Sequence, residues 1–544
     1  MNGLYYLQQG TTYNANQPLL SSILSAIPLT IIGIDPLPYD QISYLFRDAR
    51  HVFPYYGDND PSTIAIWSRI SSILAALVLG WYVYRWAREL YGIKSGIFAL
   101  FMFTFSSLIL AWSATAVPDI LSTTLMIASL YHFWKWNNYH ERKHLFLTCI
   151  FYGLALSTKV NALIILPVFL LSYILFHSPS KKKNILQFLT TGIAIGVISL
   201  ATITLVHIAD TGPLYDTTDQ FYQSPIGQEF RSEERLDQIL NQYFPEGTRL
   251  HSLAKTVTTK IPVPGKTFYQ SLYTHFHDSL SLGGNETGRM AFLRGEWKLD
   301  GWWYYYIITF LIKTEIPLLI FFTASLVLFL KTRHPDLKNE LYLLIPILFW
   351  FGTFSFAVRI DTGLRHLLLI YPLLFIFSAK ITRTQFQGNK QTLAKIAFAM
   401  LCLWLILSAF ITFPYYTSYF NELIGGPKNG YKWLSSDNVD GGQDITNIKQ
   451  FMEKNNLASI KLDYLGIETP EYAGVSYEPL SCEPTTGIIV ISVSSLHGIS
   501  YGGRYRTEEP KIMQECFSWL HDLEPIGYIG YSIIVYNVTA TNER

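Results

Sequence analysis

Ten stretches of mostly apolar residues dominate this chain, each near the roughly 20 residues a helix needs to cross a bilayer. They cover residues 64–86, 95–113, 117–136, 144–158, 160–177, 185–208, 302–330, 340–358, 364–380 and 393–413. Backbone in hydrocarbon finds no water, so its polar groups must bond within a helix or a closed barrel. Runs this long predict helices, and so an α-helical polytopic membrane protein with about ten spans. Composition agrees: of 544 residues, 50% are hydrophobic and 15% charged, against about a quarter charged in soluble domains. The stretch LLSSILSAIPLTIIGI (19–34) is short, with Pro18 and Pro28 beside or inside it. It predicts a helix lying on the membrane surface. A net charge of +1 and no basic tail give no expectation of nucleic acid as a partner; the lipid bilayer is one.

Lys and Arg in short loops fix orientation, because cytoplasmic loops carry the excess. One alternate set holds Arg85, Arg88 and Lys94; Lys135, Arg142 and Lys143; Lys181, Lys182 and Lys183; Lys331, Arg333 and Lys338; Lys380, Arg383, Lys390 and Lys395. The other set holds mainly Lys159, Arg359 and Arg365. The first set therefore faces the cytoplasm. Both chain ends, the loop 209–301 and the tail 414–544 are expected outside, in a plasma-membrane protein. Three regions follow: an exterior loop with surface helices (1–63), a transmembrane region (64–413) and an exterior α/β domain (414–544). An outside start with no helix before it predicts either a missing span upstream of Met1 or deeper insertion of 19–34.

In the tail, DITNIKQFMEKNN (444–456) has helical apolar spacing, with Asp440 or Asp444 available as a cap. IKLDYL, GIIVISV and GYSIIVYNV read as strands. Cys482 and Cys516 both fall in this exterior region, where a disulfide can form; two buried thiols are the alternative. QEFRSEERLDQILNQYF (228–244) reads as a solvated amphipathic helix. The cluster Trp302–Tyr306 marks a membrane interface. Asp437, Asn438, Asp440, Gln443 and Asp444 read as a capped turn entering the next helix rather than a metal or sugar site. His275 and His277 alone do not define a metal centre. No cofactor is certain, a divalent metal stays open without being indicated, and no nucleotide motif is present.

Six segments, in order, are similar to parts of one family. They are RISSILAALVLGWYVYRWARELYG (69–92), GLALSTKVNALIILPVFLL (153–171), FLRGEWKLDGWWYYYIITFLIKTEIPLLI (292–320), GLRHLLLIYPLLFIF (363–377), YFNELIGGPKNGYKWL (419–434) and LSSDNVDGGQDITNIKQF (434–451). Together they resemble the GT-C-type, polyprenyl-phosphate-dependent glycosyltransferases of family 39 and its relatives, the protein mannosyltransferases and the aminoarabinose transferase. The resemblance runs from Gly10 to about Asn537. It implies a GT-C-like fold and inverting transfer of a sugar from a polyprenyl-phosphate carrier. The acceptor, a protein, lipid or glycan, approaches from outside.

That chemistry needs a carboxylate near the acceptor hydroxyl and cations near the leaving phosphate. The family's acidic pair in its first exterior loop falls here on Asn2 and Gly3, and an Asn is no general base. Asp119, after Pro118 at the outer end of a helix, stands where another family acid recurs and is the catalytic candidate; capping that helix is its competing role. Lys159 and Arg365, with Arg359, are carrier-phosphate candidates, set against anchoring or snorkelling at the interface. Glu296 matches a family position for carrier or acceptor contact. Gln17 stands where relatives often carry a basic residue or proline, and joins the carrier-binding candidates. Two other functions remain: a non-catalytic relative that binds the carrier, and a lipid or solute transporter.

Overall fold

The computed structural model describes residues 1–10, 12, 17–38, 52–176, 182–215, 233–241, 243–279, 290–299, 301–331, 337–358, 361–384, 389–466, 468–498 and 516–539. The chain divides into two compact units. The first comprises Met1–Tyr82, Ser113–Gly284 and Asp336–Pro346; the second comprises Val83–Trp112, Asn285–Pro335 and Ile347–Arg544.

Among the described residues, four helices are long and apolar enough to cross a membrane: Pro61–Tyr91, Leu186–Val206, Leu337–Ala357 and Gln391–Thr412. Two bent pairs qualify if each counts as one span. Ile93–Thr104 and Ser107–Ser113 meet at 64°, and Tyr305–Lys313 and Ile316–Lys331 meet at 115°. The chain is thus a multi-pass membrane protein, and six of the ten expected windows meet the requirement in this way. The other four are helical but short or polar. Pro118–Tyr139 carries His132, Asn137 and several Ser and Thr residues. Arg142–Leu156 has 15 residues, Ile165–Phe176 has 12, and Ile370–Ser378 has 9 between two 3-10 turns. The window 19–34 folds as the helix Leu20–Ile31. Twelve residues reach only about 18 Å, well short of a hydrocarbon core of about 30 Å.

In the first unit, Pro118–Tyr139 packs on Arg142–Leu156, which packs on Lys182–Val206. Gly153 permits the second contact. A Cβ there would lie 2.8 Å from the Ser199 carbonyl oxygen and 2.7 Å from Thr202 Cβ, so only a small residue lets the two backbones approach. Pro118 opens its helix, where its missing N–H costs nothing. Of the expected charged helix in the long loop, Glu233–Asn241 is seen, and 216–232 lies outside the described residues.

In the second unit, Ile370–Ser378 packs against Ile93–Thr104 and Ile316–Lys331, and the latter also meets Asn389–Thr412. Strands β1 (Met290–Leu293) and β2 (Glu296–Leu299) form a hairpin. Further along lie β3 (Ile460–Asp463), β4 (Tyr477–Pro479), β5 (Gly487–Ser492), β6 (Gly527–Ile529) and β7 (Ile533–Val538). They form one sheet in the order β4-β3-β5-β7-β6. β3 is parallel to β4 and β5, while β7 is antiparallel to β5 and β6. The helix Ile445–Lys454 lays Ile445, Ile448 and Met452 on Ile460, Leu462, Val490, Ile533 and Val535. Asp444 occupies its N-cap without a side-chain capping bond; its carboxylate instead takes Ser532 Oγ (2.5 Å) and Asn447 Nδ2 (2.6 Å). The disulfide Cys482–Cys516 lies in this part of the chain.

Ile448 has no exposed surface. Ile448→Ala is expected to destabilise the sheet region by roughly 2–5 kcal/mol, read as earlier protease cleavage within 445–538 along a urea series.

Candidate functional site

Each unit holds a charged constellation of its own. In the first unit, Asp119 is the second residue of Pro118–Tyr139 and is 4% exposed. Lys159 precedes the 3-10 turn Val160–Ile164 in an extended conformation. Its Nζ lies 2.8 Å from Asp119 Oδ1. The fold therefore joins two residues that the sequence presented as separate candidates. The carboxylate lies at a helix start, where the dipole favours negative charge, and the ammonium fixes its orientation. A carboxylate held this way can accept a proton from a hydroxyl when the ammonium shifts.

Gln17 is elsewhere in this unit. Its amide contacts His275 Nε2 at 3.0 Å, and His275 Nδ1 contacts the Ser271 carbonyl oxygen at 2.8 Å. His275 thus serves local hydrogen bonding, and the His277 side chain lies outside the described residues. Among the described residues no group of His, Cys, Asp and Glu is arranged to hold a metal ion. Asn2 and Gly3 sit in the helix Asn2–Gln9, with Gly3 closed against the backbone of Ser22.

In the second unit, the bent pair Tyr305–Lys313 and Ile316–Lys331 organises the charges. At the bend, Asn421 satisfies open backbone groups. Its Nδ2 donates to the Leu311 and Thr314 carbonyls (2.7 Å each), and its own N–H donates to Ile312 O (2.9 Å). Lys313 is 6% exposed. Its ammonium donates to the Thr417 carbonyl (2.8 Å) and to that of Asn438, and lies 4.4 Å from the Phe420 ring centre. Glu315 is fully buried and accepts the Ser107 N–H at 2.5 Å on Oε1. Its Oε2 has no hydrogen-bond partner among the described residues.

Arg365 reaches the same region. Its Nη2 lies 2.7 Å from Asp437 Oδ2, and its guanidinium lies 5.3 Å from the Trp112 ring centre. Arg365, Asp437, Lys313, Trp112 and Ser107 line one small cavity. Asn438 holds this arrangement. Its Oδ1 accepts the Leu364 N–H (3.0 Å), and its Nδ2 donates to Tyr305 Oη (2.8 Å) and to the Thr362 carbonyl (3.2 Å). Arg359 lies outside the described residues. Glu296 is exposed, and follows the turn residues Arg294 and Gly295 (φ 52° and 82°) of the β1–β2 hairpin.

The polar run 437–444 is mostly structural. Asp440, fully buried, accepts Gly442 N–H (3.0 Å) and Ser494 N–H (3.2 Å), and burial pushes its carboxyl up to about 6. Asp437 departs from the capped-turn reading, because its carboxylate is spent on Arg365. Lys313 and Glu315 were not singled out in the sequence. The signal was two charges two residues apart inside an apolar run (LIKTEIPLL), in the 302–330 window.

The described helices make a multi-pass membrane protein, and its sequence resembles the GT-C-type, polyprenyl-phosphate-dependent glycosyltransferases. Residues 65–205 match the family described as dolichyl-phosphate-mannose-protein mannosyltransferase. Asp119 and Lys159 both fall inside that stretch. Among solved structures, the chain is similar to ArnT from Cupriavidus metallidurans bound to undecaprenyl phosphate. The identity is 11% and the TM-score 0.46, covering 99% of this chain and 93% of that one. It is also similar to the Archaeoglobus fulgidus oligosaccharyltransferase in its apo form. There the identity is 12% and the TM-score 0.43, covering 90% of this chain and 62% of that one. No curated protein matches the sequence.

Asp361 offers a pH test. It is 8% exposed, its Oδ2 accepts the Trp302 N–H at 2.8 Å, and Gly301 (φ 61°) leaves no room for a Cβ against its carboxylate. Burial raises its pKa from 3.8 to about 7. The folded chain thus holds this proton more tightly than the unfolded chain. Asp361 is expected to make stability fall as pH rises from about 4 to 7 and then level off. Asp361→Asn keeps the acceptor and should flatten that part of the stability–pH curve, measured by unfolding between pH 4 and 8.

Proposed function

We propose that this chain is an integral-membrane glycosyltransferase that moves a sugar from a polyprenyl-phosphate carrier to an acceptor on the extracytoplasmic side of the plasma membrane. The observation that carries the reading is the family match over 65–205 together with a buried Asp–Lys pair inside the matched stretch. Buried charges are costly to keep in a membrane protein and mark functional positions. The reading includes ten spans, with the short helices crossing inside surrounding protein, and the loop 209–301 and the α/β region 414–544 outside.

In the transfer, the acceptor hydroxyl oxygen bonds to the anomeric carbon as the bond from that carbon to the phosphate oxygen breaks. The electron pair leaves on the phosphate, and the hydroxyl proton passes to the Asp119 carboxylate. Lys159 orients that carboxylate. Carrier and acceptor contacts are assigned to Lys159, Arg365, Arg359, Glu296 and Gln17. The sugar is a hexose or a pentose, and the acceptor a protein, lipid or glycan. Carrier binding without transfer is the second reading, favoured by Asn2 and Gly3 where the resemblance places acids.

Purified full chain in liposomes, given polyprenyl-phosphate sugars, should release free polyprenyl phosphate. Asp119→Asn should lower that rate by about 100-fold or more at unchanged carrier binding. Equal rates for Asp119→Asn and the parent chain would remove Asp119 from the chemistry. Carrier bound without any release by the parent chain would favour the second reading.

A further inference from the structure

The helix Arg249–Lys260 takes no part in either charged constellation. Its sequence, RLHSLAKTVTTK, carries Arg249, Lys255 and Lys260 and no acid. At about 100° per residue, Leu250, Leu253 and Val257 share one face, while His251 and Lys255 lie nearly opposite. The second face is covered, because the helix packs on Glu233–Asn241. There Asp237 Oδ2 meets Lys255 Nζ at 2.8 Å, and Asp237 Oδ1 lies 3.8 Å from His251 Nε2. Leu236 and Leu240 of that neighbour are buried, as is His251. The first face has no such cover among the described residues. Leu250 and Leu253 are 61% and 60% exposed, and Val257 and the following Ile261 are exposed too. Exposed apolar residues gathered on one face mark a surface that meets something other than water.

We infer that this face lies in the headgroup layer of an anionic lipid surface, beside the point where the helix Leu186–Val206 leaves the membrane. The backbone ties it there. Thr211–Gly212, just past Val206, pairs antiparallel with Val263–Pro264, just past Lys260. The Asp210 carbonyl also accepts the Gly265 N–H (2.9 Å), and its carboxylate accepts the Thr267 N–H (2.8 Å). The end of the amphipathic helix is thereby fixed to the end of a helix long and apolar enough to cross the bilayer. Charge agrees with that position. Arg249 and Lys260 emerge from the same edge of the apolar face; both are exposed, and neither has an ion pair among the described residues. Basic side chains at such an edge bury their stems among acyl chains and keep their charge at the phosphates. A second copy of the chain fits less well, since its matching face brings the same basic edge and no acid from the helix. The inference needs a multi-pass membrane protein and does not need sugar transfer.

Spin labels on single introduced cysteines test this in the full chain, with Cys149 and Cys402 replaced by alanine and the disulfide kept. The chain is held in nanodiscs of phosphatidylcholine, with or without phosphatidylglycerol. Each label's collision rate with oxygen, which concentrates in lipid, is divided by its rate with a water-soluble nickel chelate. That ratio should be higher for Leu253→Cys and Val257→Cys than for Ser252→Cys by roughly 3-fold or more, since a face sunk in the headgroup layer loses the chelate first. Arg249→Gln with Lys260→Gln should lower the ratio in discs containing phosphatidylglycerol and leave it nearly unchanged in phosphatidylcholine alone. All five positions are exposed, so the substitutions leave the packed side of the helix intact. Equal ratios at 252, 253 and 257 overturn the inference and put the face in water. Exclusion of both reagents from 253 and 257 also overturns it and assigns the face to a protein partner, a second copy if the mass in solution doubles. A lipid signal that ignores both phosphatidylglycerol and the two charge changes overturns the anionic assignment. None of these readings uses turnover, so the inference and the proposed transfer can fail separately.

Discussion

A charge moved from water into an apolar interior has to be answered there, since the remaining cost is several kcal/mol per ion even after relaxation. This protein answers its buried charges in different ways, and each answer ties together segments distant in sequence. Asp119 and Lys159, 40 residues apart, pair at the starts of two helical segments. Arg365 and Asp437 pair over the ring of Trp112. Asp361 is answered by a proton instead, its pKa raised to about 7 beside a single backbone donor. A pair fixes geometry, whereas a retained proton leaves the group able to change charge near neutrality.

The bend at Thr314 shows the same constraint acting on the backbone. A helix that stops leaves its last carbonyls without partners, and inside a membrane protein water cannot supply them. Asn421 takes this role through its side-chain amide and its own N–H. Asn438 does the like for the turn before Leu364. Two side-chain amides thus replace the bonds that continuous helix would have made. That is why the segments carrying them, 419–434 and 434–451, are polar and turn-rich yet buried at Asn421, Asn438 and Asp440.

Much of this was legible in the sequence, for reasons that also set the limits. Long apolar runs and the β-branched strands GIIVISV and GYSIIVYNV have strong periodic or compositional signals, and they appear as helix and sheet. The edge strand Tyr477–Pro479 has three residues and ends on proline, so it leaves almost no pattern. Helix lengths were less legible. Hydropathy smooths over the breaks at 105–106 and 314–315; at the second, Pro317 in the first turn of the next helix cannot donate to the Lys313 carbonyl, and Asn421 takes up the open backbone groups. The candidates Asp119, Lys159 and Arg365 stood out as charges at the ends of apolar runs. Their partners did not, because pairing over 40 or 72 residues is a property of the packed chain.

Lys313 and Glu315 show how a local reading fails. Two opposite charges separated by one residue in an apolar run look self-neutralising. The 115° bend between their helices sends them apart, the ammonium to carbonyls from 417 and 438 and the carboxylate to the N–H of Ser107. Had the chain continued as one straight helix, both would lie on a lipid-spanning rod with neither carbonyls nor a helix start to meet. The bend is therefore what makes the pair tolerable. It is held by Asn421, a residue whose neighbours in sequence give no hint of the charges it serves. Position in the fold, rather than distance along the chain, decides which of these ions is satisfied and which still faces a cavity.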